Sequence, residues 1–174
     1  MIVKEYSVIR TVEYKDVDCL YKFYNGDKVY GSLLDQKREP VYPTLSELEE
    51  LLQNKDVVNS FYVVEDKDSN KIGLVGLKGI NQEVLFGEVI ILFDDGIFKS
   101  SLPIVSEALD FIEEKAFRRM HLKKVLSLCL DSETSLMEFL SSRSYKFEGE
   151  LREVLYTKGK WHNLQTWAKY NDRI

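Results

Sequence analysis

The stretch from Glu83 to Leu130 constrains the fold of this chain more than any other part of the sequence. Phe86 to Phe93 is an apolar run that predicts a strand, and the turn-forming residues Asp94-Asp95-Gly96 end it. Lys124 to Leu130, which is rich in valine and leucine, predicts a second strand. The segment between the two runs is long enough for a crossover helix, so the two strands are predicted to be parallel neighbours.

A helix running to about Arg119 is predicted between these strands. Ser100 or Ser101 can cap its N-terminus, and Pro103 lies near its first turn, where a missing N–H costs little. Apolar residues then recur at helical spacing, namely Val105, Ala108, Leu109, Ile112 and Ala116. Parallel sheets of this kind usually bind a ligand at the carboxyl ends of the strands. The pattern therefore predicts a ligand site in the loop from Asp94 to Ser101.

Length, charge and cysteine content narrow the class of protein. With 174 residues the chain is predicted to form a single domain over residues 1–174. A net charge of −5 argues against binding to nucleic acid, which needs a basic face, and no apolar run approaches the length of a membrane span. Cys19 and Cys129 are expected to be reduced thiols of a cytoplasmic protein, with a disulfide as the alternative. Because the cysteines and His121 and His162 are scattered, no metal site is predicted.

The remaining segments extend the central unit into a mixed sheet with helices on both faces. The predicted order is β-α-α-β-β-β-α-β-α-β-β. Thr44 and Glu47 form a capping-box pattern at the start of one helix. The other predicted strands are Lys4–Val12, Ser60–Glu65, Lys71–Lys78, Lys146–Tyr156 and Trp161–Tyr170, and the other helices begin at Asp16 and at Asp131 or Ser132.

Four short motifs occur in one collinear order: Gly87-Glu88-Val89, Ser106-Glu107-Ala108-Leu109, Phe147 to Arg152, and Gly159 to Asn163. Together they resemble the GNAT superfamily of acyl-CoA N-acyltransferases, over nearly the whole chain. Within it they are similar to the ribosomal-protein N-terminal acetyltransferase group. The resemblance implies an α/β fold of GNAT type, with a mixed, mostly antiparallel sheet, helices on both faces and a central parallel βαβ unit.

The resemblance also implies a reaction and a set of site residues. An acetyl group would pass from acetyl-CoA to a primary amine, either a protein N-terminus or a small-molecule amine, by direct attack and without a metal. Glu88 is the candidate general base, and Tyr145 is the candidate proton donor to the CoA thiolate. The other candidates would bind the cofactor, and they are Ile91, Leu92, Phe93, Lys99, Ser100, Ser101, Leu102, Ile104, Val105 and Glu133.

The cofactor motif departs from the family pattern. The family's pyrophosphate loop has Arg or Gln, two residues, Gly, one residue, and Gly or Ala, because glycine lets backbone N–H groups approach a phosphate. The aligned segment here is Ser100 to Val105, in which both small positions are filled and Pro103 supplies no N–H. Glu133 aligns with the family's Asn, and Leu140 aligns with its usual tyrosine.

These departures leave alternatives open. The alternative function is a non-catalytic module that keeps the fold and acts through a protein partner, and a homodimer through an edge strand or the C-terminal hairpin is compatible with either function. Glu88 could instead be a solvated strand residue paired with a lysine, and Tyr145 could be half-buried packing. Four aromatic residues are candidates for an acceptor pocket or for sheet packing, namely Tyr30, Tyr42, Trp161 and Trp167.

Overall fold

A computed structural model describes residues 1–25, 44–53, 60–157 and 159–172. Within these ranges the chain forms one eight-stranded sheet with the order β1-β2-β3-β4-β5-β6-β8-β7. Its strands are β1 (Ile2–Val3), β2 (Val8–Thr11), β3 (Phe61–Glu65), β4 (Lys71–Asn81), β5 (Phe86–Phe93), β6 (Lys124–Leu130), β7 (Lys146–Thr157) and β8 (Lys160–Tyr170). The β5–β6 pair is parallel and the other pairs are antiparallel, which confirms the predicted fold class.

The helices of the described residues cover both faces of this sheet. They are α1 (Val17–Asn25), α2 (Leu45–Gln53), α3 (Asp95–Ser100), α4 (Leu102–Glu114) and α5 (Thr134–Ser142). A 3₁₀ turn, Tyr14–Asp16, precedes α1, and a π turn, Lys115–Arg119, extends α4. No helix in the described part of the chain is long and apolar enough to cross a membrane.

Strand β5 divides the core into two layers. Val89, Ile91 and Phe93 belong to the cluster that packs against α4 and α5. Ile90 and Leu92 belong to a second cluster, which includes buried residues of α1 and α2. Because successive strand residues point to opposite faces, each residue of β5 can be assigned to one layer.

The predicted central unit is confirmed, with one feature that pattern alone did not reveal. The parallel strands pair at Phe86 with Lys124, Gly87 with Val125 and Glu88 with Leu126, and no further pair follows. Both strands continue beyond that point, β5 to Phe93 and β6 to Leu130. The sheet is therefore split toward the carboxyl ends of its two central strands.

The prediction of one continuous N-terminal strand was wrong. In place of one strand from Lys4 to Val12, the structure has a hairpin of β1 and β2. The turn is closed by a hydrogen bond from the Lys4 N–H to the Ser7 carbonyl (2.8 Å). The carboxylate of Glu107 on α4 accepts hydrogen bonds from the Tyr6 N–H (3.0 Å) and the Ser7 hydroxyl (2.6 Å). These long-range contacts fix a turn that the local sequence did not indicate.

The predicted loop from Asp94 to Ser101 is also different, because most of it forms the short helix α3. Asp94 caps this helix by accepting a hydrogen bond from the Gly96 N–H (2.8 Å). Ser101 is at the N-cap of α4 but its side chain forms no capping hydrogen bond, and the Ser100 hydroxyl donates to the Gly96 carbonyl instead (2.7 Å).

Candidate active site

A narrow cleft lies where β5 and β6 separate. Its volume is about 10 Å³, room for roughly one water molecule. Beyond Glu88 one edge of β5 pairs with β4 and the other faces the cleft, so backbone groups on that edge are directed at the opening. The residues lining the cleft are Glu88, Val89, Ile90, Ile91, Leu92, Ser127, Leu128 and Leu136.

Glu88, the candidate general base, lies in the cleft wall. Its side chain is 20% exposed and has the same strand parity as Ile90 and Leu92, so it points to the α1 and α2 face. The Lys78 ammonium on β4 is 3.4 Å from its carboxylate, because the two residues are directly paired. The structure thus places Glu88 in the cleft and also shows the lysine pairing named as the alternative.

Tyr145 is on the other side of the sheet from Glu88. It is 2% exposed and belongs to the core cluster beneath α4 and α5. Its hydroxyl has no hydrogen-bond partner of standard geometry among the described residues. Burial raises the pKa of this phenol well above its usual value, and the carboxylate of Glu113 acts in the same direction. The structure therefore does not bring Tyr145 and Glu88 together.

The start of α4 holds most of the predicted phosphate-binding residues. Lys99 and Ser100 at the end of α3 and Leu102 at the start of α4 are exposed. The Ser101 N–H donates to the Ile97 carbonyl (2.8 Å), and the Ile104 N–H donates to the Ser101 carbonyl (3.0 Å). The N–H groups that could face a phosphate here are those of Ser100, Ser101, Leu102 and Ile104, so two of the four are already engaged in this conformation.

Two other predicted cofactor residues have local roles in the structure. Val105 is completely buried, and its side chain packs in the core rather than toward the loop. Glu133 is the N-cap residue of α5, and its Oε2 accepts a hydrogen bond from the Leu130 N–H (2.9 Å). This bond closes the turn after β6 at the mouth of the cleft, so the carboxylate that replaces the family's Asn supports the backbone.

Ser127, Leu128 and Leu136 line the cleft but were not among the predicted site residues. In the sequence, Ser127 is a small residue between Val125 and Cys129 in an apolar run, which is typical of ordinary strand packing. The signal that identifies it is the register. Leu126 is the last β6 residue paired with β5, so Ser127 is the first residue of β6 inside the cleft.

The described structure does not bring the candidate residues of an acceptor pocket together. Tyr30 and Tyr42 lie outside the described residues. Trp161 is exposed and packs edge-on against Tyr156, while Trp167 is half-buried against Phe147. Both tryptophans are on the C-terminal hairpin, which supports sheet packing for this pair.

A wider cavity of about 560 Å³ lies at the other end of α4. Its lining includes Glu113, Phe117, His121, Lys169 and Tyr170, and none of the predicted site residues. This larger cavity is therefore distinct from the cleft between β5 and β6, and its size alone does not make it the reaction site.

Solved structures resemble this chain along almost its full length. Spermidine N-acetyltransferase from Vibrio cholerae in complex with CoA and spermine is 22% identical, with a TM-score of 0.78, and the match covers 96% of each chain. A chimera of the Vibrio cholerae enzyme SpeG and hSSAT is 20% identical, with a TM-score of 0.78 and 96% coverage of each chain. A dodecameric Vibrio cholerae spermidine N-acetyltransferase is 21% identical, with a TM-score of 0.76, over 96% of this chain and 95% of that chain. These likenesses concern the fold.

Family comparison goes further than structural likeness. No curated protein matches the chain. The family model described as the acetyltransferase (GNAT) domain matches residues 9–165, which is most of the 174 residues. The chain therefore belongs to the GNAT acetyltransferase domain family.

Proposed function

We propose that this protein transfers an acetyl group from acetyl-CoA to a primary amine in the cleft between β5 and β6. The observation that carries the proposal is the separation of these parallel strands after the Glu88–Leu126 pair. It leaves a backbone edge of β5 that is unpaired among the described residues, and an extended, amide-containing ligand can pair with this edge once the opening of about 10 Å³ widens. The cleft opens toward the carboxyl ends of the strands, next to the N-terminus of α4.

The residues present fit the acyl end of this cosubstrate. Acetyl-CoA supplies an activated acetyl thioester to the reaction. The cleft walls are mainly apolar, and the backbone N–H groups from Ile91 to Phe93 are the proposed donors to the thioester carbonyl. The diphosphate end would lie at the start of α4, with Lys99 and Ser100 exposed on α3 beside it.

Glu88 is the proposed base of this reaction. Its carboxylate would accept a proton from the incoming ammonium, directly or through one water, and so free the amine for attack. The attack then needs no covalent intermediate with the protein, and the cleft accelerates it chiefly by holding the reactants in position. The ion pair with Lys78 orients the carboxylate in the cleft wall.

The acceptor is proposed to be a primary amine of a small molecule. The names of the similar structures support this choice, because they describe spermidine and spermine acetyltransferases. The sequence motifs similar to the ribosomal-protein group make a protein N-terminus the alternative acceptor. Both acceptors present a protonated amine, so the same base serves either reaction.

A direct assay tests this function. The protein is incubated with acetyl-CoA and, in separate reactions, with a polyamine, a monoamine and a peptide carrying a free N-terminus, and products are detected by mass spectrometry. Acetylated amine is expected with the wild type, and Glu88→Gln is expected to lower the rate by roughly 100-fold or more. Glu150→Gln, the same chemical change on exposed β7, is the matched control and is expected to keep the wild-type rate. Absence of any acetylated product with every amine would contradict the proposal.

A second function is favoured by the structure around α4. The engaged N–H groups of Ser101 and Ile104, together with Pro103, leave few donors for a diphosphate. A binding module that has lost tight CoA affinity and acts through a protein partner would show these features. It is distinguished from the enzyme by its failure to bind acetyl-CoA.

The edge strand β7 is the proposed surface for a homodimer. It spans twelve residues at the end of the sheet, and it carries exposed Phe147 (53%), Leu151 (60%) and Tyr156 (54%). Long edge strands with apolar side chains are templates for pairing with another chain. Sedimentation of the wild type as a dimer, and of Leu151→Lys as a monomer, is expected.

The cytoplasm is the proposed location of the protein. Both cysteines are free thiols, Cys129 in the core and Cys19 half-buried. Reduced thiols are the usual state of cysteine in that compartment.

A further inference from the structure

Ser127 occupies a particular place in the cleft. It directly follows Leu126, the last β6 residue paired with β5, so it lies where the two strands begin to separate. Its side chain is 2% exposed, and it lines the cleft. Of the lining residues in the described part of the chain, Glu88 and Ser127 alone carry polar side chains.

These two polar residues approach the cleft from opposite faces of the sheet. Glu88 has the parity of Ile90 and Leu92 and faces α1 and α2. Ser127 has the parity of Val125 and Cys129, which are buried in the cluster beneath α4 and α5. Glu88 can therefore act on the side of a reacting carbon from which a nucleophile attacks, and Ser127 can act on the side from which the leaving group departs.

We propose that Ser127 is a catalytic residue, whose hydroxyl donates a hydrogen bond to the sulfur of the departing CoA thiolate. The inference rests on the acetyl transfer proposed above. In that reaction Glu88 first passes the proton taken from the ammonium to water, and the freed amine nitrogen then forms a bond to the acetyl carbon and loses its second proton to Glu88. The carbon–sulfur bond breaks, and its electron pair stays on sulfur as a thiolate. The Ser127 hydroxyl stabilises that charge without transferring its own proton.

The same hydroxyl already interacts with a sulfur atom of the protein. Burial raises the pKa of the Cys129 thiol, and the charge of Glu133 acts in the same direction. A hydrogen bond from Ser127 acts in the opposite direction, because it stabilises the thiolate form of Cys129. The Ser127 hydroxyl thus lies within reach of a sulfur atom on this face of the sheet, in a water-poor environment where such bonds are strong.

The test measures the acidity of the thiol of bound CoA, which does not depend on turnover. CoA is bound to the wild type, to Ser127→Ala and to Cys129→Ala, and the thiolate is followed by its ultraviolet absorbance as pH is raised. Ser127→Ala is expected to raise the pKa of the bound CoA thiol by about 1 to 2 units, the contribution of one hydrogen bond to a charged acceptor. Cys129→Ala, which leaves the Ser127 hydroxyl in place and removes a competing acceptor, is expected to keep the pKa of the bound CoA thiol at or below the wild-type value.

Activity supplies a second readout. The turnover number of Ser127→Ala is expected to fall roughly 10- to 150-fold, with little change in the KM of the amine, because the lost bond forms only as charge develops. Circular dichroism shows whether each variant is folded. If Ser127→Ala does not fold, the isosteric pair Ser127→Thr and Ser127→Val gives the same comparison, since only the threonine retains a hydroxyl.

The outcomes separate this inference from the proposed function. An unchanged thiol pKa in a folded Ser127→Ala that binds CoA overturns the role of Ser127, and acetylation by the wild type in that case leaves the proposed function intact. Failure of every protein to bind CoA overturns both.

Discussion

Substitution of Pro103 tests whether one additional backbone N–H in the cofactor loop strengthens the binding of acetyl-CoA. It is exposed and is the second residue of α4, where backbone N–H groups have no partner within the helix. Pro103→Ala restores one N–H there with only a small gain in backbone freedom, and Pro103→Gly restores the same donor with a looser first turn. Because Ser101 and Ile104 are already engaged, this donor is expected to be an important addition to the diphosphate site.

The expected change in affinity for acetyl-CoA follows from the contribution of one hydrogen bond to a phosphate. A hydrogen bond to a charged group contributes about 1.5–3 kcal/mol, which corresponds to roughly 10- to 150-fold in affinity. The wild type is expected to bind acetyl-CoA weakly, and Pro103→Ala is expected to tighten binding by that factor. Pro103→Gly should gain less, because glycine costs about 0.5–1 kcal/mol in a helix relative to alanine.

Isothermal titration calorimetry with acetyl-CoA, in one buffer for all three proteins, measures this directly. No detectable heat from any of them at millimolar ligand would contradict the enzyme and leave the binding module. Tight binding by the wild type, unchanged in both variants, would show that the phosphates are held by other residues.

Three further predictions concern stability and the role of single side chains. Asp16 is completely buried, and although burial acts to raise its pKa, hydrogen bonds from Arg10 and Lys71 hold the pKa well below its usual range. Its stabilising contribution is therefore present above about pH 4 and is lost as pH falls. Asp16→Ala should cost about 3–5 kcal/mol in urea unfolding at neutral pH and flatten that acid dependence. Gly73→Ala should lower stability by about 1–3 kcal/mol, because the new Cβ would lie 2.2 Å from the Phe93 ring, whereas Gly149→Ala, with nothing within 4 Å, should be neutral in the same thermal melt. Tyr145→Phe removes a hydroxyl that has no hydrogen-bond partner of standard geometry among the described residues, and it should leave both thermal stability and turnover unchanged. A tenfold or greater loss of turnover would show that this hydroxyl takes part in the reaction.

Local patterns predicted the elements whose formation depends on neighbouring residues. The capping box at Thr44 is present, with the Thr44 N–H donating to Glu47 (2.7 Å) and the Glu47 N–H donating to the Thr44 hydroxyl (3.2 Å). The central βαβ unit was also recognisable, because the periodicity of α4 and the apolar runs of β5 and β6 are strong signals.

Features that depend on distant contacts were not predictable from these patterns. The hairpin of β1 and β2 depends on Glu107, about a hundred residues away in the chain, and no local rule links the two. The place of Ser127 in the cleft depends on how many pairs join β5 to β6, which is a property of the sheet register. Tyr145 was the candidate proton donor, but its side chain is buried in the core cluster beneath α4 and α5, whereas Glu88 has the strand parity of residues on the α1 and α2 face.

The central claim is that acetyl-CoA binds between β5 and β6, and hydrogen exchange of backbone amides tests it most directly. With saturating acetyl-CoA, slower exchange is expected from Val89 to Phe93 and from Lys99 to Ile104, and no change is expected in the β7–β8 hairpin. Protection confined to the 560 Å³ cavity around Glu113 and Lys169, or no protection anywhere, would contradict the account.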